Sequence, residues 1–530
     1  MKHAIRNLFQ FDTPYRRFEL KETEPKRTPS FFAHQKAKRA NQPQIDGRVG
    51  TRLAANRKRL SALFHGAENT DLVLKPFRIG ERRQALAACL NGMADETKIG
   101  DFILRPCHYA DAAHAGRRDL CAYLSESVLT MTETECRPDW RSIVEAITEG
   151  RTAILIDGEA QAILCDTRGF VSRPVEKPQN EMTILGPKEA FTENLRTNVT
   201  LLRRILKRPD LICRFRDAGG TNGTKLVLTY LDGVLNPALL EEVERRLDRI
   251  RTDSVLSIGC IEQMIEDYTY LPTPQMLKTE RPDRAARAIL DGRLVLLAEG
   301  CPLAGVLPIT LQSIMESGED ADMRQPVATV VRCIRMIGAA LSIWLPAYFL
   351  ALALHHPGQL SSEILETVIA SRAMVFLPLS VEMIFLLLVF QLVREAGLRV
   401  PGAIGQAIGI IGGLLLGQAA VSAHIVSTVV LIIVALTGLG NFAIPDYSAQ
   451  VAVAYHRILL CLAATVGGLL GLAVAGLCMI AVLSTLKSFG VPFLTPLAPV
   501  TKRSGGLLLR ETLKNRAQPS DWSNPKRRRA

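Results

Sequence analysis

The chain has 530 residues, 64 Lys and Arg against 52 Asp and Glu, and a net charge of +12. That length is more than one hydrophobic core serves, so several domains are expected. A mean hydropathy of only +0.14 excludes a chain that is apolar throughout, and here it averages a polar front half with an apolar back half.

The positive charge gathers in the tails. Arg16, Arg17, Lys26, Arg27, Lys36, Lys38, Arg39, Arg57, Lys58 and Arg59 stand near the start, and Lys526, Arg527, Arg528 and Arg529 at the end. Basic runs beside membrane spans favour the cytoplasmic face and anionic headgroups. These lack interleaved aromatics and a recognisable binding fold, so no nucleic-acid partner is expected. The eleven cysteines stand singly, without a CxxC pair or a Cys/His spacing suited to zinc. Buried thiols in a reducing compartment follow, with no metal and no cofactor. The first residues contain no apolar run of signal-peptide type, so an internal span is expected to direct insertion.

In chain order, residues 1–70 read as a basic tail, disordered or loosely helical. Residues 71–188 and 189–326 read as two α/β subdomains. In the first, 84–91 reads as a helix ending near Gly92 and 141–148 as another. The apolar run 152–156 and the segment 159–165 read as a hairpin turning at Asp157-Gly158. The pattern Ala146-Ile-Thr-Glu-Gly150-Arg151 before that hairpin returns as Ala288-Ile-Leu-Asp-Gly292-Arg293 before another, which predicts two related units. Between them, 191–206 and 237–251 read as helices and 225–231 as a strand. Glu241, Arg245 and Arg249 are spaced for i,i+4 pairs on a solvated face. The loop 219–225 lacks the Gly-Lys-Ser/Thr ending of a phosphate-binding loop and precedes a strand, so it reads as a turn.

Beyond Pro326 the character changes. Residues 327–488 read as an α-helical polytopic membrane domain and 489–530 as a basic cytoplasmic tail. Spans are expected at 333–354, 373–393, 426–444 and 458–483. From Val400 to Pro445 there is no Asp, Glu, Lys or Arg, and its first half is rich in glycine, which lets helix backbones approach closely in lipid. With the front half and the basic tail both cytoplasmic, the number of crossings must be even. The stretch 403–421 is therefore expected to re-enter from the cytoplasmic side, with an additional span as the alternative.

Several residues in this half can carry function. Glu382, placed mid-span, requires a partner or an aqueous cavity. It reads equally as a pore or proton-linked site or as a structural group, either paired with an arginine of a neighbouring helix or kept protonated. Arg394-Glu395-Ala-Gly397-Leu-Arg399-Val-Pro401 closes that span at the cytoplasmic face, as an interfacial anchor or as a gate hinge. Gln406, Gly409, Gly412, Gly413, Gly417 and Gln418 bring close backbones and uncharged hydrogen-bonding groups together, for conduction or for helix packing. No nucleophile motif, metal cluster or cofactor fingerprint is legible, so no enzyme is expected.

Four ordered stretches within 71–500 resemble the A subunits of bacterial spore germinant receptors, the GerA family. They are Glu280-Arg281-Pro282-Asp283; Arg394-Glu395-Ala-Gly-Leu-Arg-Val-Pro401; Ile404-Gly405-Gln406-Ala-Ile-Gly409-Ile-Ile-Gly412-Gly413 running on to Gly417-Gln418; and Lys487-Ser-Phe-Gly490-Val-Pro492 with Pro496-Leu-Ala-Pro499. The resemblance implies structural roles for Arg281, Pro282, Asp283, Pro401, Gly405, Pro445, Gly490 and Pro492. It also implies a two-part cytoplasmic domain on a multi-pass domain of the spore inner membrane, forming a homo-oligomeric ion channel. Such a subunit acts with a transporter-like B subunit and a lipoprotein C subunit, and nutrient binding releases monovalent cations. Members of the family usually carry an acid where Gln391 stands. A non-conducting scaffold or an accessory sporulation paralogue is the alternative.

Overall fold

The computed structural model describes residues 45–80, 83–110, 120–169, 178, 181, 185–219, 223–252, 257–399 and 417–499. The chain divides into an α/β unit, within residues 14–267 and 276–308, and a helical unit that takes 268–275 and 309–513.

The α/β unit opens with α1 (Leu53–Leu63). This helix lies inside the stretch 1–70 expected to be a loose tail. It is ordered because Leu60, Leu63 and the following Phe64 are buried in the first core. Next come β1 (Leu72–Ile79), β2 (Arg83–Leu90), β3 (Thr134–Arg137), α2 (Trp140–Thr148), β4 (Thr152–Ile156) and β5 (Ala162–Cys165). They form an antiparallel sheet in the order β1-β2-β4-β5-β3. Residues 84–91, expected to be helical, are mostly β2. Both faces of this strand are covered: Leu86, Ala88 and Leu90 join the core under α1 and α2, while Ala85 and Cys89 join a second core beneath the opposite face. A strand buried on both sides shows no polar alternation, and its alanines read as helix.

The second half repeats this plan. It contains α3 (Leu195–Ile205), β6 (Leu211–Ala218), β7 (Thr224–Leu231), α4 (Pro237–Leu247), α5 (Ile258–Ile265), β8 (Leu277–Thr279), α6 (Pro282–Leu290), β9 (Leu294–Ala298) and β10 (Ala304–Leu307). The sheet order is β6-β7-β9-β10-β8, the same as in the first copy. Gly150 and Gly292 take φ of 91° and 82° ahead of β4 and β9, and Gly158 and Gly300 take 89° and 75° in the hairpin turns. Left-handed backbone at four matched positions is what glycine supplies at low cost. Arg281 grips Asp283 through Nε and Nη2 at 3.0 and 2.9 Å, and Pro282 starts α6. Arg246 and Glu242 form a buried pair at 2.7 Å, so α4 is tied inward and not only solvated. The copies are joined by the buried fork of Arg203 on Asp71, at 2.9 and 3.0 Å. Burial pushes the thiols of Cys165 and Cys213 up to about 12, which leaves them inert as nucleophiles.

In the helical unit, α7 (Gln325–His355), α8 (Ser362–Arg372), α9 (Leu379–Arg399), α10 (Thr428–Phe442) and α11 (Tyr447–Thr485) follow in order. α7 and α11 are long and apolar enough to cross a membrane, and α10 is a shorter apolar helix. α11 is not one straight span over 458–483. It breaks at Gly468, where φ is +57°. Its first limb meets α7 where Arg457 Nη1 donates to Ser342 Oγ at 3.2 Å. The break itself lies against His355 at the far end of α7, whose Nε2 is 2.9 Å from Thr465 O. Gly476, past the break, packs against Trp344, only two residues from Ser342. α11 therefore goes out along α7 and returns beside it.

α9 and α10 run parallel. Glu382 contacts Ser427 at the start of α10, Phe390 lies over Gly438, and Arg394 reaches the amide of Gln450 just past its end. Arg399, at the end of α9, and Ser427, at the start of α10, therefore lie at opposite ends of that pair. The stretch 403–421, expected to re-enter or to add a span, falls mostly outside the described residues. Pro401, Gly405, Gln406, Gly409, Gly412 and Gly413 lie outside the described residues. After α11, Lys487-Ser488 pairs with Val491-Pro492 in a small hairpin, β11 and β12, with Phe489 and Gly490 at positive φ. Ser488 Oγ donates to Gln275 O at 2.8 Å, and Ile309 N donates to Ser488 Oγ at 3.1 Å, so this motif anchors the return limb.

Glu266 makes the stability of the α/β unit depend on pH. Burial first, then the carboxylates of Glu262 and Asp267, push Glu266 up to about 8 against the pull of Lys278. The native state keeps this proton after the unfolded chain has lost it. Its stability contribution is complete below the ordinary carboxylate pKa and is lost as pH rises toward about 8. Hydrogen exchange of the α4–α5 amides should show less protection at about pH 8 than at about pH 5, and Glu266→Gln should flatten that slope.

Candidate functional site

Glu382 was expected in the middle of a span at 373–393. The helix instead starts at Leu379, so Glu382 sits in its first turn. It is fully buried. Oε1 accepts from both Ser427 N and Ser427 Oγ at 2.6 Å, and Oε2 lies 3.4 Å from Arg372 Nε. Ser427 is also the N-cap of α10. A carboxylate at a helix N-terminus is favoured by the dipole and by the free backbone N–H groups there. Of the two sequence readings, the arrangement matches the pair with a neighbouring arginine. Within one chain Glu382 locks α8, α9 and the start of α10 together.

The other end of α9 is built differently. Arg394 is buried, stacks over the Tyr447 ring at 5.5 Å and points Nη1 at Gln450 Oε1, 3.3 Å away. Turning the Asn441 amide over places its oxygen 2.8 Å from the same nitrogen. Gln391, one turn earlier, has a buried side-chain oxygen with no partner. Glu395 is half-buried on the same turn. Gly417 is buried against Leu431, and Gln418 is exposed. Gly417 lines an apolar cavity of about 440 Å³ with Phe385, Val389, Phe390, Ala420 and Leu431. Pro445 is half-buried in the tight link between α10 and α11, beside the cap that Asp446 makes on Ala449 N at 2.8 Å.

Sequence reasoning missed Arg372, Ser342, Ser427, Asn441, Gln450 and Arg457. Arg457 was hidden because the apolar run seemed to begin at Ile458, whereas α11 begins at Tyr447. The four uncharged ones are polar residues that only the packing marks out. Among the described residues there is no group of acids, cysteines and histidines arranged to hold a metal.

The sequence profile described as Bacillus/Clostridium GerA spore germination protein matches residues 58–521. The chain belongs to the GerA spore germination family. This GerA-family chain is 32% identical to spore germination protein KA of Bacillus subtilis strain 168 over 82% of its own length and 80% of the relative's. It is 32% identical to spore germination protein B1 of the same organism, over 86% and 92%. It is 30% identical to the membrane protein YfkQ of that strain, over 86% and 88%. A crystal structure of the N-terminal domain of the A subunit of the Bacillus megaterium spore germinant receptor GerK3 is 26% identical. That likeness covers 49% of this chain and 96% of the other at a TM-score of 0.40.

The Glu382 lock makes a graded prediction. Arg372→Met leaves a buried carboxylate short of its cation and should cost about 3 kcal/mol of stability. Glu382→Gln keeps an acceptor for Ser427 and should cost less, about 1 kcal/mol. Thermal unfolding of the detergent-purified variants measures both, and equal losses would contradict the ion pair.

Proposed function

We propose that this chain is the A-type subunit of a nutrient germinant receptor in the spore inner membrane. The family match over residues 58–521, which spans both structural units, carries the reading. The membrane path is α7, α9, the connection to Ser427, α10 and the two limbs of α11. That is an even number of passes, so the α/β unit and the C-terminal tail share the cytoplasmic side. The even count is reached because α11 doubles back at Gly468, while 403–421 serves as a crossing. α10 has 15 residues, fewer than the roughly 20 of a free-standing span. One face of it, with Val430, Val434, Thr437 and Gly438, is buried against neighbouring helices, and the other, with Ile432, Leu436 and Leu439, is left apolar and exposed.

In this reading several copies assemble as a homo-oligomer and act with a transporter-like B subunit and a lipoprotein C subunit. Nutrient binding opens a path for monovalent cations. The interior of a single bundle is filled by Leu350, Met383, Leu387, Val430 and Cys461, so the path runs between copies. A second reading, a non-conducting scaffold or accessory sporulation paralogue, is favoured by one observation. Glu382 is engaged by Ser427 and Arg372 inside the chain, and Gln391 carries no charge.

Reporter fusions after Gly402 and Ala423 should report opposite sides of the membrane; the same side for both would overturn the crossing. Purified protein with its B and C partners in planar bilayers should conduct monovalent cations when nutrient is added. If no current appears and spores lacking the chain still release cations normally, the scaffold reading stands instead.

A further inference from the structure

The buried arginines of the helical unit fall into two groups. At the base of α7, Arg332 and Arg335 share Asp320 at 3.1 and 3.0 Å, and Arg332 also reaches Glu316 at 3.0 Å. Arg394 and Arg457 have no such partner. They are 7% and 1% exposed, and Arg394 reaches Gln450, which stands two turns before Arg457 on the same face of α11. Among the described residues no carboxylate is within 4.0 Å of either guanidinium. Asp446 caps α11 by accepting from Ala449 N. Residues 400–416, which lie outside the described set, contain no Asp or Glu. A guanidinium does not shed its proton in a protein, and a buried cation is costly unless paired.

The unpartnered atoms have a specific geometry. On Arg394 they are Nε and Nη2, and on Arg457 Nε. The Nε/Nη2 edge is the one that grips a carboxylate elsewhere in this chain, at Asp71 by Arg203 and at Asp283 by Arg281. Two parallel N–H groups on that edge match the oxygens of an oxyanion. Around them Ser342, Asn441 and Gln450 supply uncharged polar groups from α7, the end of α10 and the start of α11.

We propose that Arg394 and Arg457 form a binding site for one anionic group of phosphate type, held between the last turns of α9 and the first limb of α11. The group is either the headgroup phosphate of an anionic lipid or a free oxyanion. It neutralises the paired cations and joins α7, α9 and α11. The site does not depend on whether the protein conducts.

The test uses the full-length protein in nanodiscs, with thermal unfolding followed by intrinsic fluorescence at matched ionic strength in sodium gluconate. One arm adds inorganic phosphate to phosphatidylcholine discs. The other replaces part of the phosphatidylcholine with phosphatidylglycerol, without phosphate. A rise in Tm in the first arm identifies a free oxyanion, and a rise in the second alone identifies a lipid headgroup. Arg394→Gln or Arg457→Gln should weaken the apparent affinity by about tenfold or more, the loss expected for one charge-assisted hydrogen bond. Gln391→Glu places an acid three residues before Arg394 on the same helix face and should shrink the response by supplying the counter-charge internally. If the glutamine variants do not fold, the wild-type arms and Gln391→Glu decide. No Tm change in either wild-type arm, or an undiminished response in every variant, overturns the proposal.

Discussion

The helical unit depends on one backbone reversal. Gly468 takes a φ of +57° and lies so close to His355 that a side chain there would collide with the imidazole. Glycine meets both demands, the left-handed conformation and the close approach. Without the turn, α11 would be a rod of 39 residues, about 58 Å long at the helical rise, nearly twice the hydrocarbon thickness. With it, the same apolar run becomes two limbs on α7. Gly471 approaches the Ala463 carbonyl and Gly476 the Trp344 ring, so the glycines of this region secure the fold-back by contact and not by flexibility.

Once the reversal is in place, the other helices have little choice. Gly338 and Gly440 bring the backbones of α7 and α10 into direct contact, which packs α10 against α7. Phe390 over Gly438 and the tilted Phe390–Phe442 pair at 5.8 Å fix the register of α9 against α10. Small residues at crossing points are the usual way to gain dispersion contacts where lipid offers no hydrophobic drive. The charged groups then mark the two ends. Glu382 and Arg372 close one end as a compensated pair, and Arg394 stands toward the other. Arg457 is the exception: it stands midway along the first limb of α11, where Ser342 of α7 gives it an uncharged polar partner, and the apolar packing around the helices is supplied by Leu350, Leu387, Val434 and Ala464.

How much of this was legible in the sequence depends on the physical signal each feature leaves. The duplication was legible, because a turn that needs positive φ forces glycine, and Gly150-Arg151 and Gly292-Arg293 recur ahead of matching hairpins. The apolar helices were legible from the missing charges. β2 was not, because a strand covered on both faces loses its alternation and Ala85, Ala87 and Ala88 favour helix by propensity. α1 was hidden by its own surface: Arg57, Lys58 and Arg59 dominate the composition, while only Leu60, Leu63 and Phe64 report the core. The doubling of α11 left a single mark, the pair Gly467-Gly468 in a long apolar run, indistinguishable by composition from a packing glycine.

Parity shows the same limit. Equal sidedness of the two ends fixes only whether the number of crossings is even, and two different chains of events satisfy it. One reverses the glycine-rich stretch before α10; the other reverses the last helix. Composition favours the first, since 400–416 holds more glycines than 458–485 per unit length. Contacts favour the second. His355 can touch Gly468 while Ser342 holds Arg457 and Trp344 meets Gly476 only if the chain returns. The density of glycine tells where helices can approach. Which glycine turns the chain is set by the sign of one dihedral angle and by the aromatic ring packed against it.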